Sequence, residues 1–258
     1  MHKEYTREEL GQYFTKKREV DFMVSLIENG SKILEPSCGP GVFLNSLSDF
    51  PCVDGVEFDQ KVAHEKAKVL DFFDFSETNK YDTIIGNPPY VSNANIVEET
   101  KEKLLGYESW SGKTNLFVLF IEKCLNHLEE NGELIFIVPS VFMQATSCLS
   151  LNKRMHSEGS YTHLVKYKDV TPFGLDAHPE HETCIFRYKK GETSKITKIY
   201  SLDQETKQIK LSEEKKYYVD TLGITYFLDK ELDVQTLIPI KKFFSIKVGA
   251  VSGLDSFF

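Results

Sequence analysis

The stretch ILEPSCGPGVFL, residues 33–44, decides the fold. It runs from a short apolar strand through a turn with two glycines, Gly39 and Gly41, into the apolar start of a helix. Glycines in a strand-to-helix turn let a ligand approach the backbone, and open α/β sheets bind their ligands at this carboxyl edge. The third glycine of the dinucleotide pattern is missing, because Phe43 and Leu44 follow. The pattern therefore predicts a ligand site after the first strand and weakens the case for NAD.

Outward from this stretch, short apolar runs alternate with segments of helical periodicity, which predicts an α/β domain with a mainly parallel sheet. Helices are predicted over Lys17–Ile27 and Asn115–Leu128. The last two candidate strands, near 163–167 and 183–188, have only a loop between them and should form an antiparallel pair at one end of the sheet. Residues 189–218 are rich in Lys and Glu, typical of a solvated surface, with a possible strand at KITKIY. The seven candidate strands are SKILEP, CVDGVEF, AKVLDF, YDTIIGN, GELIFIVPS, THLVKY and TCIFRY.

Composition and charge limit the classes of function. The chain has 258 residues with 31 Lys and Arg against 39 Asp and Glu, a formal net charge of −8. A dedicated nucleic-acid binder is usually basic, so contact with DNA would need a local basic surface or a partner. The five cysteines are scattered without a CxxC pair, which indicates a reducing cytosol. Apolar runs such as LFVLFI are far shorter than the roughly 20 residues of a membrane span. We therefore expect a cytoplasmic protein with no membrane association, and the family resemblance given below also implies a prokaryotic one.

Acidic side chains follow the next two candidate strands. Glu57 comes roughly 20 residues after the first glycine, the spacing at which an acid accepts hydrogen bonds from ribose hydroxyls. Alone, Glu57 would be equally compatible with a surface acid after a strand. Asp71 and Phe72 follow the third strand. Taken with the glycine turn, the three strand ends suit a methionine moiety, a ribose and an adenine ring, which predicts a nucleoside pocket.

The fourth strand leads into Asn87-Pro88-Pro89-Tyr90. An adenine amino group is a poor nucleophile because its lone pair is delocalised into the ring. Two acceptors on its two N–H bonds, the Asn87 side-chain oxygen and the Pro88 carbonyl, would favour a pyramidal nitrogen. Proline stiffens the turn without a competing N–H, and Tyr90 can stack on the base. The tetrapeptide after this series of strand ends predicts activation of an amino group, although alone it could be merely a turn.

The motifs follow the order seen in one enzyme family. GQYFT, LEPSCGPGVFL, VEFD, LDFFDF, DTIIGNPPYV, KTNLFVLFIEKCL, GELIFIVPS and TPFGLDAHPEHETCIFRYKK resemble the motif series of gamma-class N6-adenine DNA methyltransferases of the TaqI type. The resemblance covers residues 11 to about 190. It implies methyl transfer from S-adenosylmethionine to adenine N6 in double-stranded DNA, with the adenine flipped out, as part of a restriction-modification system. It also implies a Rossmann-like, seven-stranded, mainly parallel sheet whose last strand is antiparallel.

The resemblance also implies residue roles. The methionine end of the cofactor would contact Thr15 and the turn formed by Glu35, Pro36, Ser37, Cys38, Gly39 and Gly41. The ribose of the cofactor would contact Glu57, and its adenine would contact Asp71 and Phe72. Asn87 would also contact the cofactor. The catalytic motif would be Asn87, Pro88, Pro89 and Tyr90, with Phe173 stacking on the opposite face of the target base.

The domain organisation expected from the resemblance is a catalytic domain over residues 1–236, with 189–236 as a peripheral extension. Residues 237–258 resemble the opening of a target-recognition domain that is then cut short. Base-sequence reading would therefore be absent, truncated or supplied by a partner such as a specificity subunit. No metal site is predicted, because His178 and His181 with Asp176 and Glu182 have no second ligand cluster.

Two other functions stay open at this point. Methyltransferases acting on protein glutamine or on RNA can also carry Asn-Pro-Pro-Tyr. A modification subunit that binds the cofactor but is idle without a partner would share the same motifs. The N-terminal GQYFT and the EPSCGPG turn favour a DNA substrate.

Overall fold

The structure is a computed structural model that describes residues 11, 13–167, 182–203 and 205–229. Within these residues the strands are β1 (Ile33–Glu35), β2 (Val53–Glu57), β3 (Ala67–Val69), β4 (Tyr81–Gly86), β5 (Leu128–Pro139), β6 (Gly159–Tyr167), β7 (Thr183–Lys190), β8 (Ile196–Leu202), β9 (Ile209–Val219) and β10 (Thr225–Leu228). The helices are α1 (Lys17–Ser25), α2 (Val42–Ser46), α3 (Glu98–Leu104), α4 (Leu116–His127) and α5 (Leu149–Glu158). All ten strands belong to one sheet, in the order β10-β9-β8-β6-β7-β5-β4-β1-β2-β3.

The sheet is mixed, with five parallel and four antiparallel strand pairs. Strands β1 to β5 run in one direction, β7 is antiparallel to both β5 and β6, and β9 is antiparallel to β8 and β10. All seven candidate strands are present, and the predicted α/β class is confirmed. Because the parallel strands share one direction, their carboxyl ends meet at one edge of the sheet, where the site residues follow them.

The sheet is larger than the seven strands predicted. In the predicted seven-stranded sheet, β6 would be the outer strand. In the structure the backbone of β6 pairs with β8, with His163 opposite Lys198. The β6–β7 pair therefore lies inside the sheet and not at its end, which corrects the prediction. The Lys- and Glu-rich stretch forms strands because its charged side chains face solvent while Tyr217 and Val219 of β9 are buried.

Both faces of the sheet are covered, so β5 is continuously apolar over residues 134–139 rather than alternating. Leu134, Phe136 and Val138 pack on one face, in the cluster that contains α4 and α5. Ile135 and Ile137 point to the other face, in the cluster that contains α1 and α2. Eleven of the twelve residues of α4 are buried, so this helix is covered on all sides.

The strands after β7 are tied to the rest of the domain through α5. The buried Asn152 side chain donates to the carbonyls of Phe142, Met143 and Gly223, at 3.1, 3.1 and 3.0 Å. Gly223 has φ +110°, and a Cβ there would lie 2.3 Å from the carbonyl oxygen of Leu149. The loop between β9 and β10 is thus closely packed on the start of α5.

A buried ion pair holds the chain after α1 against the sheet. Arg187 on β7 is 1% exposed, and its Nη2 lies 2.5 Å from Glu133 Oε2 and 2.6 Å from Glu28 Oε2. Thr83 donates to the second oxygen of Glu133 at 2.8 Å, and the amide of Glu28 donates to the same oxygen at 2.8 Å. The Arg187 hydrogen bond lowers the pKa of Glu28. Each charge in this cluster therefore has a partner, as burial requires.

None of the helices in the described part of the chain has the length and apolar character needed to cross a lipid bilayer. The five cysteines, all within the described residues, are free thiols.

Candidate active site

A pocket opens at the carboxyl edge of the sheet, above β1, β2 and β4. Its volume is about 1040 Å³, a figure that includes open solvent at its mouth. Eleven of the predicted site residues line it: Thr15, Glu35, Pro36, Ser37, Cys38, Gly39, Glu57, Asp71, Phe72, Asn87 and Pro89. The topology therefore brings together residues that are far apart in the sequence.

Three predicted site residues, Gly41, Pro88 and Tyr90, are not among the residues that line the pocket. A fourth, Phe173, lies outside the described residues. Gly41 has φ +87°, and a Cβ on it would lie 2.3 Å from Cδ2 of His64. The structure thus requires glycine at this position for backbone conformation and for the approach of His64.

The turn after β1 is held by main-chain hydrogen bonds. The amide of Cys38 donates to Val56 O at 2.9 Å, and the amide of His64 donates to Gly39 O at 2.8 Å. Gly39 has φ +49°, and a Cβ on it would contact no atom within 4 Å, so the space beside this glycine is open. Burial raises the pKa of the Cys38 thiol to about 12, which keeps it neutral at physiological pH.

Two acidic side chains at strand ends are buried in the pocket wall. Glu35 is 2% exposed and accepts a hydrogen bond from the amide of Leu44 at 3.1 Å. Burial raises the pKa of Glu35 well above its usual range, with a smaller contribution from the charge of Glu57. Burial also raises the pKa of Glu57, although backbone hydrogen bonds oppose the shift. The pocket wall therefore holds two carboxyl groups whose neutral forms are favoured by burial, and a cationic ligand with hydrogen-bond donors would stabilise their ionised forms.

Glu57 also organises the backbone around it. Oε2 accepts from the amide of Gly39 at 2.7 Å, and Oε1 accepts from the amide of Asp59 at 2.9 Å. A carboxylate has about four lone-pair sites, so each oxygen retains capacity for another donor. Glu57 thus links the turn after β1 to the end of β2 and can still accept bonds from a ligand.

Asp71 is engaged with the covering helix α3. Its Oδ1 accepts from the amide of Phe73 at 3.0 Å, and its Oδ2 accepts from Thr100 at 2.7 Å and from Lys103 at 3.0 Å. Phe72 is 2% exposed and its ring lies 5.0 Å from that of Phe120. The predicted contact of Asp71 and Phe72 with a cofactor adenine stays a prediction.

The side chain of Asn87 is oriented by the segment before α1. Its Nδ2 donates to Tyr13 O at 2.6 Å and to Thr15 Oγ1 at 3.2 Å, and its main-chain carbonyl accepts from Ser37 Oγ at 3.0 Å. Its Oδ1 is buried and has no hydrogen-bond partner among the described residues. A buried acceptor without a partner costs free energy unless a ligand supplies the donor.

Tyr90 is fixed within the protein. Its hydroxyl donates to Ile137 O at 2.8 Å, and its ring centroid lies 5.3 Å from that of Tyr13 and 5.8 Å from that of Phe117. Burial raises the pKa of its hydroxyl well above the usual range, so the phenol stays neutral. Tyr90 is therefore an aromatic group held at the end of β4 next to Asn87.

Several pocket residues were not predicted from the sequence. Phe58 is 44% exposed, and its position directly after Glu57 at the end of β2 is the sequence signal that could have marked it. Others gave no local signal because they come from the segment before α1, from the region of α3 and from α4, among them Tyr13, Phe14, Ile96, Val97, Thr100, Leu116 and Phe120. Within the described residues no group of three or more potential metal-binding side chains occurs. His178 and His181 lie outside those residues.

The fold indicates the class of this protein, because its mixed α/β sheet resembles those of class I S-adenosylmethionine-dependent methyltransferase structures. A structure of a putative class I S-adenosylmethionine-dependent methyltransferase from Listeria monocytogenes matches 67% of this chain and 58% of its own length, with a TM-score of 0.51 and 18% identity.

Within that class, the chain belongs to the Eco57I restriction-modification methylase family, whose model matches residues 44–173. Type II methyltransferase M.HincII from Haemophilus influenzae is 31% identical over 231 residues, which is 86% of this chain and 44% of that protein. A modification subunit of a putative type I restriction enzyme from Vibrio vulnificus matches in structure with a TM-score of 0.60 and 12% identity, over 86% of this chain and 60% of its own. The chain thus spans about half the length of the curated relatives it matches.

Proposed function

We propose that this chain carries the catalytic site of a DNA methyltransferase that transfers a methyl group from S-adenosylmethionine to the N6 amino group of adenine. The observation that supports this most directly is the unpartnered, buried Oδ1 of Asn87 in the wall of an acidic pocket. An amino group can supply the missing hydrogen-bond donor, whereas a keto oxygen at the same place would add a second acceptor.

The pocket residues fit the cofactor in charge and in hydrogen-bonding capacity. Glu57 has lone pairs left for ribose hydroxyls, and the open space beside Gly39 allows a ligand to approach the turn after β1. A cationic sulfonium beside the buried carboxyl groups of Glu35 and Glu57 would favour their ionised forms and be attracted to them. S-adenosylmethionine supplies an electrophilic methyl group whose leaving group is a neutral thioether. No strong general base is then needed before attack, because the amino proton can be lost afterwards.

The residues of the catalytic motif would act by positioning and electrostatics. Asn87 Oδ1 would accept one N–H of the target amino group, and the Pro88 carbonyl would accept the other. Tyr90 would stack on the base, and Phe173 is the proposed second stacking partner. Pro89, which follows Asn87 and Pro88 in the sequence, lines the pocket and stiffens the turn. A base paired in a duplex cannot reach this pocket, so the target adenine would be flipped out.

DNA is the proposed substrate because of the family and because a curated relative is a type II methyltransferase. The net charge of −8 disfavours strong DNA binding by this part alone. We therefore propose that sequence recognition depends on further protein, either a recognition domain or a separate specificity subunit. The gamma class, a catalytic unit over residues 1–236 and a recognition domain starting at 237–258 stay predictions, since residues 230–258 lie outside the described part.

The test is methyl transfer from labelled S-adenosylmethionine to separate pools of genomic DNA, RNA and protein, followed by mass spectrometry of the digested products. We expect N6-methyladenine in DNA from the parent. Asn87→Ala should lower the single-turnover rate about 10²–10³-fold, the cost of removing one preorganised polar contact. Asn45→Ala, which removes an exposed asparagine on α2, is the matched control. Label in RNA or protein alone, or a parental rate in Asn87→Ala, would refute the proposal.

A further inference from the structure

The segment before α1 contacts the catalytic motif at several points. Gly11 has φ +61°, its carbonyl accepts from the amide of Tyr90 at 3.3 Å, and a Cβ on it would lie 2.6 Å from that nitrogen. Tyr13 packs its ring against Tyr90 and accepts from Asn87 through its carbonyl. Thr15 accepts from Asn87 through its hydroxyl. Three described residues of this segment thus touch the motif that follows β4.

These contacts determine the orientation of the Asn87 side chain. A side-chain amide has two hydrogens on nitrogen and two lone pairs on oxygen. Both hydrogens of Asn87 are used, one on Tyr13 O at 2.6 Å and one on Thr15 Oγ1 at 3.2 Å. A carbonyl can only accept, so the reversed amide would set two oxygens against each other at Tyr13. The hydroxyl of Thr15 holds the second hydrogen and limits rotation of the amide.

Resting on the proposed function, we propose that Thr15 and the main-chain carbonyl of Tyr13 are positioning groups for Asn87. They present Oδ1 and not Nδ2 to the target, so the site accepts an amino group and disfavours a carbonyl. This role differs from the cofactor contact that the family resemblance implies for Thr15. Ser37, also expected to contact the cofactor, contributes from the other side, because its hydroxyl donates to the main-chain carbonyl of Asn87.

The two roles of Thr15 predict different kinetics. A positioning role means that Thr15→Val lowers the single-turnover methylation rate at saturating cofactor while the cofactor dissociation constant stays unchanged. Loss of one neutral hydrogen bond, about 0.5–1.5 kcal/mol, corresponds to a rate about two- to tenfold lower. Thr15→Ser keeps the hydroxyl and should restore the rate. A weaker cofactor affinity with an unchanged rate at saturation would show that Thr15 is a cofactor contact and would overturn the inference.

A second measurement does not depend on methyl transfer. In protein labelled with ¹⁵N at asparagine, the side-chain amide of Asn87 gives one pair of signals, assigned by its loss in Asn87→Ala. We expect both hydrogens to exchange with solvent more slowly than those of the exposed Asn45. Thr15→Val should shift one signal of the pair and speed its exchange, and Thr15→Ser should restore both.

The matched control is Thr100→Val, which removes another threonine hydroxyl from the same pocket, one that donates to Asp71 instead. It should leave the Asn87 signals unchanged. An Asn87 pair that does not respond to Thr15→Val, or that responds equally to Thr100→Val, would refute the positioning role. If the parent protein transfers no methyl group to DNA, the proposed function fails, while the amide signals still decide whether Thr15 holds Asn87.

Discussion

Replacing Glu57 with glutamine removes a negative charge from the pocket wall with almost no change in side-chain size. The carboxylate accepts from the amides of Gly39 and Asp59 at 2.7 and 2.9 Å. A glutamine keeps one acceptor oxygen, so its NH₂ group must face one of these two N–H donors. Losing a charge-assisted hydrogen bond costs about 1.5–3 kcal/mol. Part of this cost is recovered, because glutamine carries no charge and so avoids the cost of burial that raises the pKa of Glu57. We expect the free energy of unfolding without cofactor to fall by about 1–2 kcal/mol.

Glu57→Gln should also lower the affinity of the protein for its cofactor. If Glu57 accepts from ribose hydroxyls, Glu57→Gln loses at least one charge-assisted bond, again about 1.5–3 kcal/mol. At 1.4 kcal/mol for each factor of ten, S-adenosylmethionine should bind about 10- to 100-fold more weakly. The affinity of the parent should also decrease as the pH falls through the raised pKa of Glu57, and Glu57→Gln should lack this dependence.

Isothermal titration calorimetry gives the affinity, and urea unfolding without cofactor gives the stability. Glu65→Gln is the control, because Glu65 is exposed in the nearby loop and its replacement changes the net charge equally. Parental affinity in Glu57→Gln, or an equal decrease in Glu65→Gln, would refute the assignment of Glu57 to the cofactor.

Three further changes test the structure around the site. The raised pKa of Glu35 means that the folded state holds its proton more tightly than the unfolded state, so its stabilising contribution is complete below the ordinary pKa of 4.5 and is lost as the pH rises through the raised value. Glu35→Gln should therefore gain stability relative to the parent as the pH rises, and a pH-independent difference in urea midpoints would contradict this. Arg187→Ala leaves the buried Glu133 without its cation and should cost about 3–5 kcal/mol. Arg187→Met combined with Glu133→Leu should recover only part of that cost, because the amide of Glu28 and the hydroxyl of Thr83 lose their acceptor. Thermal unfolding in which the effects of the two single changes simply add would contradict this coupling. Gly41→Ala should destabilise the chain by about 1–3 kcal/mol through its positive φ and its clash with the ring of His64. A smaller loss is expected in a His64→Ala background, and an equal loss would disprove the steric cause.

The sequence predicted the parallel part of the sheet because its signals are local. Each of the seven strands is a short apolar run between turn residues, and parallel topology alone brings Glu35, Glu57 and Asn87 to one edge. Strands β9 and β10 gave no such signal. Lys and Glu have low strand propensity, and β9 forms because Tyr217 packs on Tyr161, with ring centroids 5.0 Å apart.

The site residues were predictable as a set, but their hydrogen-bond partners were not. Asn87 donates to a main-chain carbonyl 74 residues earlier in the chain. Any residue type offers such a carbonyl, so no pattern of side chains could reveal this contact. Thr15 and Ser37 were predicted as cofactor residues from the resemblance, whereas in the structure their hydroxyls contact Asn87.

The pairing of β6 with β8 has a practical consequence for anyone who wishes to express a shorter protein. A truncation after β7, suggested by the end of the recognisable motifs, would strip β6 of its neighbour and leave His163, Leu164 and Val165 as an open backbone ladder. Unpaired edge strands of this kind promote aggregation. The same cut would uncover Tyr161, which packs beneath Tyr217 of β9. A trimmed version that still folds should therefore retain every strand as far as Leu228.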